Sequence, residues 1–147
     1  MFTNHPRVHG CPLASGFIAA SMGVGALVAA SAAALTAVLA HDPTAPPIAV
    51  DALTSAWVGA LAASAYAAFF ALGSTVGAKG GGRFLSLGLD FVLGGTSGTA
   101  ALLVPRAHAQ NLLGGAPPLL LSQPASAAFL AAMALAFGAA AVARCAP

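Results

Sequence analysis

Charge is what this chain has least of. Only 5% of its 147 residues are charged, the acidic residues are three aspartates, and glutamate is absent. A soluble domain carries about 25% charged residues. With 59% hydrophobic residues and a mean hydropathy of +0.92, the few charges could not cover a water-exposed surface. Lipid is therefore expected to solvate part of the fold.

Several functional classes are disfavoured by other absences. The basic residues form no cluster, which argues against a nucleic-acid partner. Cys11 and Cys145 lie far apart in the sequence and indicate no disulfide framework. His5, His9 and Cys11 could be drawn as a metal site, but three ligands in one terminal segment define no geometry. There is also no glycine-rich phosphate loop and no Ser-His-Asp constellation, so we expect neither enzymatic activity nor a cofactor.

Long uncharged stretches take the place of the missing charges. About 20 apolar residues are needed for a helix to cross a bilayer, and four stretches have this length: 16–40, 52–78, 84–104 and 124–143. Prolines separate the first two, and the short 79–83 turn forces the second and third to be antiparallel. The sequence predicts an all-α polytopic membrane protein, a four-transmembrane-helix bundle forming a single membrane domain over 1–147. Signal-peptide cleavage after Ala40 is disfavoured because the first stretch exceeds an h-region of about 7–15 residues.

The few basic residues predict the orientation. Cytoplasmic loops carry an excess of lysine and arginine. Four of the five basic residues fall on one side of the predicted arrangement: Arg7, Lys79, Arg83 and Arg144. Asp42, Asp51 and Arg106 fall on the other. We therefore expect an inner (plasma) membrane protein with both termini in the cytoplasm.

The third stretch carries a polar face. Its members are spaced by three or four residues, which places them on one side of a helix: Arg83, Ser86, Asp90, Gly94 and Ser97. A charge within an apolar helix is a functional-site hypothesis by default. Asp90 either binds a cation or proton along a pathway, or only fixes packing by snorkelling or pairing with Arg83 or a hydroxyl. Its shallow position, about 9 Å from the cytoplasmic boundary, favours the second interpretation. Tyr66 is expected to point outward and not to contact it.

Small residues are expected to hold the helices together, because lipid removes the hydrophobic drive between them. Two GxxxG spacings lie in the second and third stretches, at Gly73 and Gly77 and at Gly94 and Gly98. The short turn brings these two stretches together. We predict that the four glycines mediate helix packing.

The segment 105–123 is too apolar for an exposed loop and too rich in glycine and proline for one helix. We predict an interfacial or re-entrant segment with a short amphipathic helix over 105–113. Pro105 suits the first turn of such a helix. Arg106, His108 and Asn111 are expected at its water-facing surface.

These features resemble the C-terminal portion of a type-2 ABC exporter permease. The resemblance rests on the glycine-broken stretch 87–94, the segment 105–115 and the final apolar helix ending at Arg144. It implies a transporter or permease-like subunit that acts as a homo-oligomer or with partner membrane subunits, including a separate ATPase subunit. The alternative is a non-catalytic structural subunit that scaffolds a multi-subunit complex, for which Ala/Gly packing faces suffice.

Overall fold

The computed structural model describes residues 10–42, 44, 46–77, 80–96 and 98–145. The described residues form five α-helices and no strand, so the predicted all-α fold class is confirmed. The helices are α1 Gly10–Leu39, α2 Ile48–Ser74, α3 Gly82–Leu93, α4 Pro105–Leu112 and α5 Gln123–Cys145, with 3₁₀ turns at Thr99–Leu103 and Pro118–Leu120.

Three of the described helices, α1, α2 and α5, are long and apolar enough to cross a membrane. Their outer faces carry large exposed hydrophobic side chains; Leu53 and Leu135, for example, are 71% and 73% exposed. Water would solvate such a surface poorly. The fold therefore agrees with the apolar composition and with a membrane protein.

The predicted helix over 84–104 is wrong. α3 ends at Leu93 after 12 residues, a length of about 18 Å, whereas the hydrocarbon core is about 30 Å thick. Gly94 and Gly95 form a turn, and the Thr96 hydroxyl donates to the carbonyl of Leu93. The chain then makes a 3₁₀ turn and starts α4 at Pro105, so the third predicted span is divided between two short helices.

Helix α2 lies at the centre of the bundle and contacts each of the other four helices. Leu61 and Ala65 of α2 share one core cluster with Leu130 and Ala134 of α5. Further along both helices Phe69 contacts Phe137, so α5 runs parallel to α2. On another face, a Cβ added to Gly59 would lie 2.9 Å from the Ala29 carbonyl oxygen. The two longest helices, α1 and α2, therefore touch backbone to backbone.

Helices α3 and α4 lie one after the other along α2. Ser86 of α3 contacts Gly73, and Asp90, one turn further on, contacts Tyr66, so α3 is antiparallel to α2. Ala109 of α4 lines the same groove as Val58, which is closer to the start of α2 than Tyr66. α4 therefore continues in the direction of α3, and the two form a broken helix with a junction near Tyr66.

Candidate functional site

Asp90 lies at the junction between α3 and α4 and is buried there. Its Oδ2 accepts a hydrogen bond from the Tyr66 hydroxyl at 3.0 Å. Its Oδ1 accepts one from the backbone N–H of Arg106 at 3.1 Å. Both carboxylate oxygens are therefore bound by groups from other helices, one from α2 and one from α4.

The contact with Arg106 caps α4. The first residue of this helix, Pro105, has no N–H, and the preceding Val104 has an apolar side chain that cannot accept a hydrogen bond. The Arg106 N–H is thus one of the donors that a helix N-terminus leaves without an internal partner. Asp90 supplies the acceptor from α3, and its negative charge is favourable at the positive end of the helix dipole.

The Arg106 side chain makes the converse contact with the end of α3. Its Nη1 lies 3.5 Å from the Phe91 carbonyl oxygen, and its guanidinium carbon lies 5.0 Å from the centre of the Phe91 ring. A cation is favourable at the negative C-terminal end of a helix and over an aromatic face. Each short helix therefore presents a charge of the appropriate sign to the end of the other.

Gly94 permits this approach. A Cβ at this position would lie 2.6 Å from the Arg106 Cβ and 2.8 Å from its Cδ. Carbon atoms do not approach so closely, so any side chain here would displace the start of α4 or the Arg106 side chain. The junction needs glycine for space, since the backbone φ of −67° is open to any residue.

A second polar cluster, His108, Asn111 and Ser126, joins α4 to the start of α5. His108 is fully buried, with Nε2 3.2 Å from the Leu102 carbonyl oxygen and Nδ1 3.3 Å from Ser126 Oγ. A carbonyl only accepts hydrogen bonds, so this network assigns the proton to Nε2. In the neutral ring, Nδ1 then accepts from the Ser126 hydroxyl.

Asn111 completes this cluster. Its Nδ2 donates to Ser126 Oγ at 2.7 Å and to the Leu121 carbonyl at 3.0 Å. The His108 ring also stacks on Phe129, with centroids 5.0 Å apart and planes inclined by 8°. The buried polar groups of α4 are thus satisfied by α5 and the loops beside it, which anchors α4 within the bundle.

The structure brings some of the predicted polar residues together and separates others. Ser86 and Asp90 share the buried face of α3 against α2. Of the alternatives for Asp90, pairing with Arg83 is not found, since the Arg83 Nε donates to the Gly80 carbonyl. The expectation that Tyr66 points outward is also wrong, because its hydroxyl binds Asp90. The prediction for Ser97 lies outside the described residues.

The four predicted packing glycines have four different environments. Gly73 lies against Ser86 and Gly82 in the α2–α3 contact, whereas Gly77 lies in the following turn with φ +77°. Gly94 lies against Arg106 at the start of α4. Gly98 would have no neighbour within 4 Å of an added Cβ, so the predicted packing role is wrong at this position. The break in the third span removes the continuous face that the second GxxxG spacing required.

The predicted short helix forms as α4, but its surroundings differ from those expected. His108 and Asn111 are buried against α5 and do not face water, because Ser126 and nearby carbonyls provide their partners. Arg106 is half-buried at the junction. Sequence reasoning missed Ser126, for which the only signal was a hydroxyl in the first turn of the last apolar stretch.

No family model, characterised protein or solved structure matches this sequence. Among the described residues no three His, Cys, Asp or Glu side chains are close enough to hold a metal ion. The junction instead brings together a carboxylate, a phenol and a guanidinium within an apolar bundle. Such a group can orient backbone dipoles and exchange hydrogen-bond partners.

Proposed function

We propose that this chain is a permease-like membrane subunit whose working element is the broken helix formed by α3 and α4. The observation that supports this proposal is the junction at which Asp90 of α3 caps α4. Non-helical backbone at membrane depth is tolerated only against protein or a water-filled cavity. Discontinuous helices whose ends meet within the bundle are a recurring feature of transporter substrate sites.

In this proposal the broken helix counts as one crossing, which gives four crossings in total. Tyr66 lies eight residues before the end of α2, or about 12 Å along the helix axis. That distance would put the junction well inside a hydrocarbon core of about 30 Å. Both termini and the 79–83 turn would remain cytoplasmic by the positive-inside rule, while Arg106 would belong to the junction and not to an outer loop.

The proposed subunit works with other subunits. Asp90 at the junction and His108 in the neighbouring cluster are both buried within this chain. A pathway is therefore expected where the broken helix meets a second copy or a partner membrane subunit. In this proposal a separate ATPase subunit, as in type-2 ABC permeases, supplies the energy, because this sequence has no phosphate loop.

One observation favours a second candidate, the structural subunit of a larger complex. Both Asp90 oxygens and the side chains of His108 and Asn111 already have partners within the chain. The stability of the folded chain is enough to explain these contacts, and they require no role in transport. The two candidates differ in whether water reaches the junction in the assembled protein.

Cysteine labelling distinguishes them. Cys11 and Cys145 are replaced by alanine, and single cysteines are placed at Gly98 and Leu102, in the connection between α3 and α4. Intact cells and inverted vesicles are then treated with a membrane-impermeant, charged maleimide. A permease predicts labelling of this connection from at least one side, whereas a scaffold predicts none from either side.

Two control positions calibrate the labelling. A cysteine at Gly81 should react only in inverted vesicles if the 79–83 turn is cytoplasmic. A cysteine at Leu135 is exposed on the outer face of α5 and should stay unlabelled in lipid. Protection of both junction positions, with these controls behaving as stated, would overturn the permease proposal.

A further inference from the structure

A groove lies on the face of α4 opposite to the His108 cluster, between α4, α1 and α2. Its volume is about 410 Å³, within the range of about 300–1,000 Å³ that holds small ligands. Ala109 and Leu113 of α4 line one side. The residues that α2 contributes follow a helical spacing from Asp51 to Ala62, so one continuous face of α2 forms the floor.

The groove is long and has a polar end. Asp51 and Ala62 are eleven residues apart on α2, which corresponds to about 16 Å along the helix. Between them and on α1 the lining is mostly alanine, with glycine and valine. The hydroxyls of Ser55 and Thr36 lie toward the Asp51 end. An elongated apolar body with one polar end fits this shape.

The charged residue in the groove indicates which sign of charge the ligand's polar end should carry. Among the residues that the structure describes, Asp51 is the only charged one that lines the groove, and its side chain is 35% exposed. His41, a titratable neighbour, has its Nδ1 3.9 Å from the Asp51 Oδ2, and this nitrogen makes no hydrogen bond. No lysine or arginine in the described ranges lines the groove, so its carboxylate favours a cationic head and repels an anionic one.

We propose that this groove binds a single-chain cationic amphiphile. The alkyl chain lies along the small residues of α1 and α2 and touches Ala109 of α4. The ammonium head lies against the Asp51 carboxylate. This site is separate from the α3–α4 junction, and binding there requires no transport activity.

The test uses the full chain in nanodiscs of zwitterionic lipid. The probe is dodecyltrimethylammonium with a photoreactive diazirine near the end of its tail, and a neutral dodecyl alcohol with the same diazirine is the comparison. Cross-linked peptides are identified by mass spectrometry. We expect the cationic probe to label α1, α2 and α4 around Ala62 and Ala109 in a saturable manner, and unlabelled dodecyltrimethylammonium to compete.

Two variants and a control sharpen the test. Asp51→Asn should reduce the labelling roughly tenfold, as expected for the loss of one charge-assisted contact. Ala109→Phe, which fills the groove without changing charge, should reduce it as much. Asp42→Asn, which removes an exposed aspartate that does not line the groove, should leave it unchanged.

Equal labelling of the same peptides by the neutral probe would overturn the proposal and identify an ordinary acyl-chain contact. Unchanged labelling in Ala109→Phe would also overturn it. Circular dichroism reports the folding of each variant. If Asp51→Asn is unfolded, the proposal is tested by the labelling of Ala109→Phe and by the comparison of the cationic with the neutral probe.

Discussion

Two pairs of helices in this bundle are held together in opposite ways. The pair α1 and α2 consists of long continuous helices that meet through small residues, with Gly59 against the Ala29 carbonyl. The pair α3 and α4 consists of short helices that meet end to end through charged and polar groups. A continuous helix satisfies its own backbone hydrogen bonds, whereas each new helix end leaves donors or acceptors without partners. Polar residues are therefore needed where the helix is broken.

The break between α3 and α4 explains how a carboxylate is tolerated at position 90. In a continuous apolar helix its carboxylate would be costly and would need a separate explanation. At the end of a broken helix it accepts the Arg106 N–H that Pro105 and Val104 leave without a partner. The break thus gives the Asp90 carboxylate a partner at the start of α4.

The largest loss is expected when the junction loses its carboxylate. Asp90→Leu leaves the Tyr66 hydroxyl and the Arg106 N–H without acceptors in an apolar interior, at a cost of about 2–5 kcal/mol. Thermal unfolding in a mild detergent measures the loss. Asp90→Asn keeps one acceptor oxygen and should cost clearly less. Equal stability of Asp90→Leu and the parent chain would mean that the Asp90 contacts do not hold α4 in place.

The second largest effect concerns the anchoring of α4 on α5. Asn111→Leu removes the donor to Ser126 and the Leu121 carbonyl and should cost about 2–3 kcal/mol in unfolding free energy. The adjacent Gln110 is exposed, so Gln110→Leu is a matched control that should change little. Similar losses in the two variants would contradict the buried position of Asn111.

The contrast also explains which features could be predicted from the sequence. Uncharged runs identified α1, α2 and α5, and the spacing of Ser86 and Asp90 identified the buried face of α3. The break escaped prediction because 94–104 is nearly as apolar as a continuous span. The Gly94-Gly95 pair and Pro105 were the available signals for it. The contact of Asp90 with a group sixteen residues away depends on the tertiary fold, which local spacing does not encode.

The same reasoning explains why α4 was assigned to the wrong environment. His108 and Asn111 were expected in water because both are polar. Their burial depends on Ser126, which lies 18 and 15 residues further along the chain. A polar residue is tolerated inside a bundle when the fold supplies its hydrogen-bond partners. A single sequence does not show which distant residues those partners are.

A smaller effect is expected from closing the space between α3 and α4. Gly94→Ala places a Cβ against Arg106 and should cost about 1–3 kcal/mol through overpacking. Gly95→Ala is a matched neighbour, because an added Cβ there would have only the Phe91 carbonyl oxygen nearby, at 3.9 Å. Unfolding in detergent should separate the two variants. Equal stability would show that the junction relaxes around the added methyl group.

The smallest of these effects is expected at Tyr66. Tyr66→Phe removes one of the two hydrogen bonds to Asp90 and keeps the aromatic ring that stacks on Phe70. Hydrogen bonds inside membrane bundles average about 0.6 kcal/mol in double-mutant cycles. A cycle combining Tyr66→Phe with Asp90→Leu should give a coupling energy of about 0.5–1.5 kcal/mol. A coupling near zero would mean that the junction is held by the cap on α4 alone, and that α2 serves it only as an apolar surface.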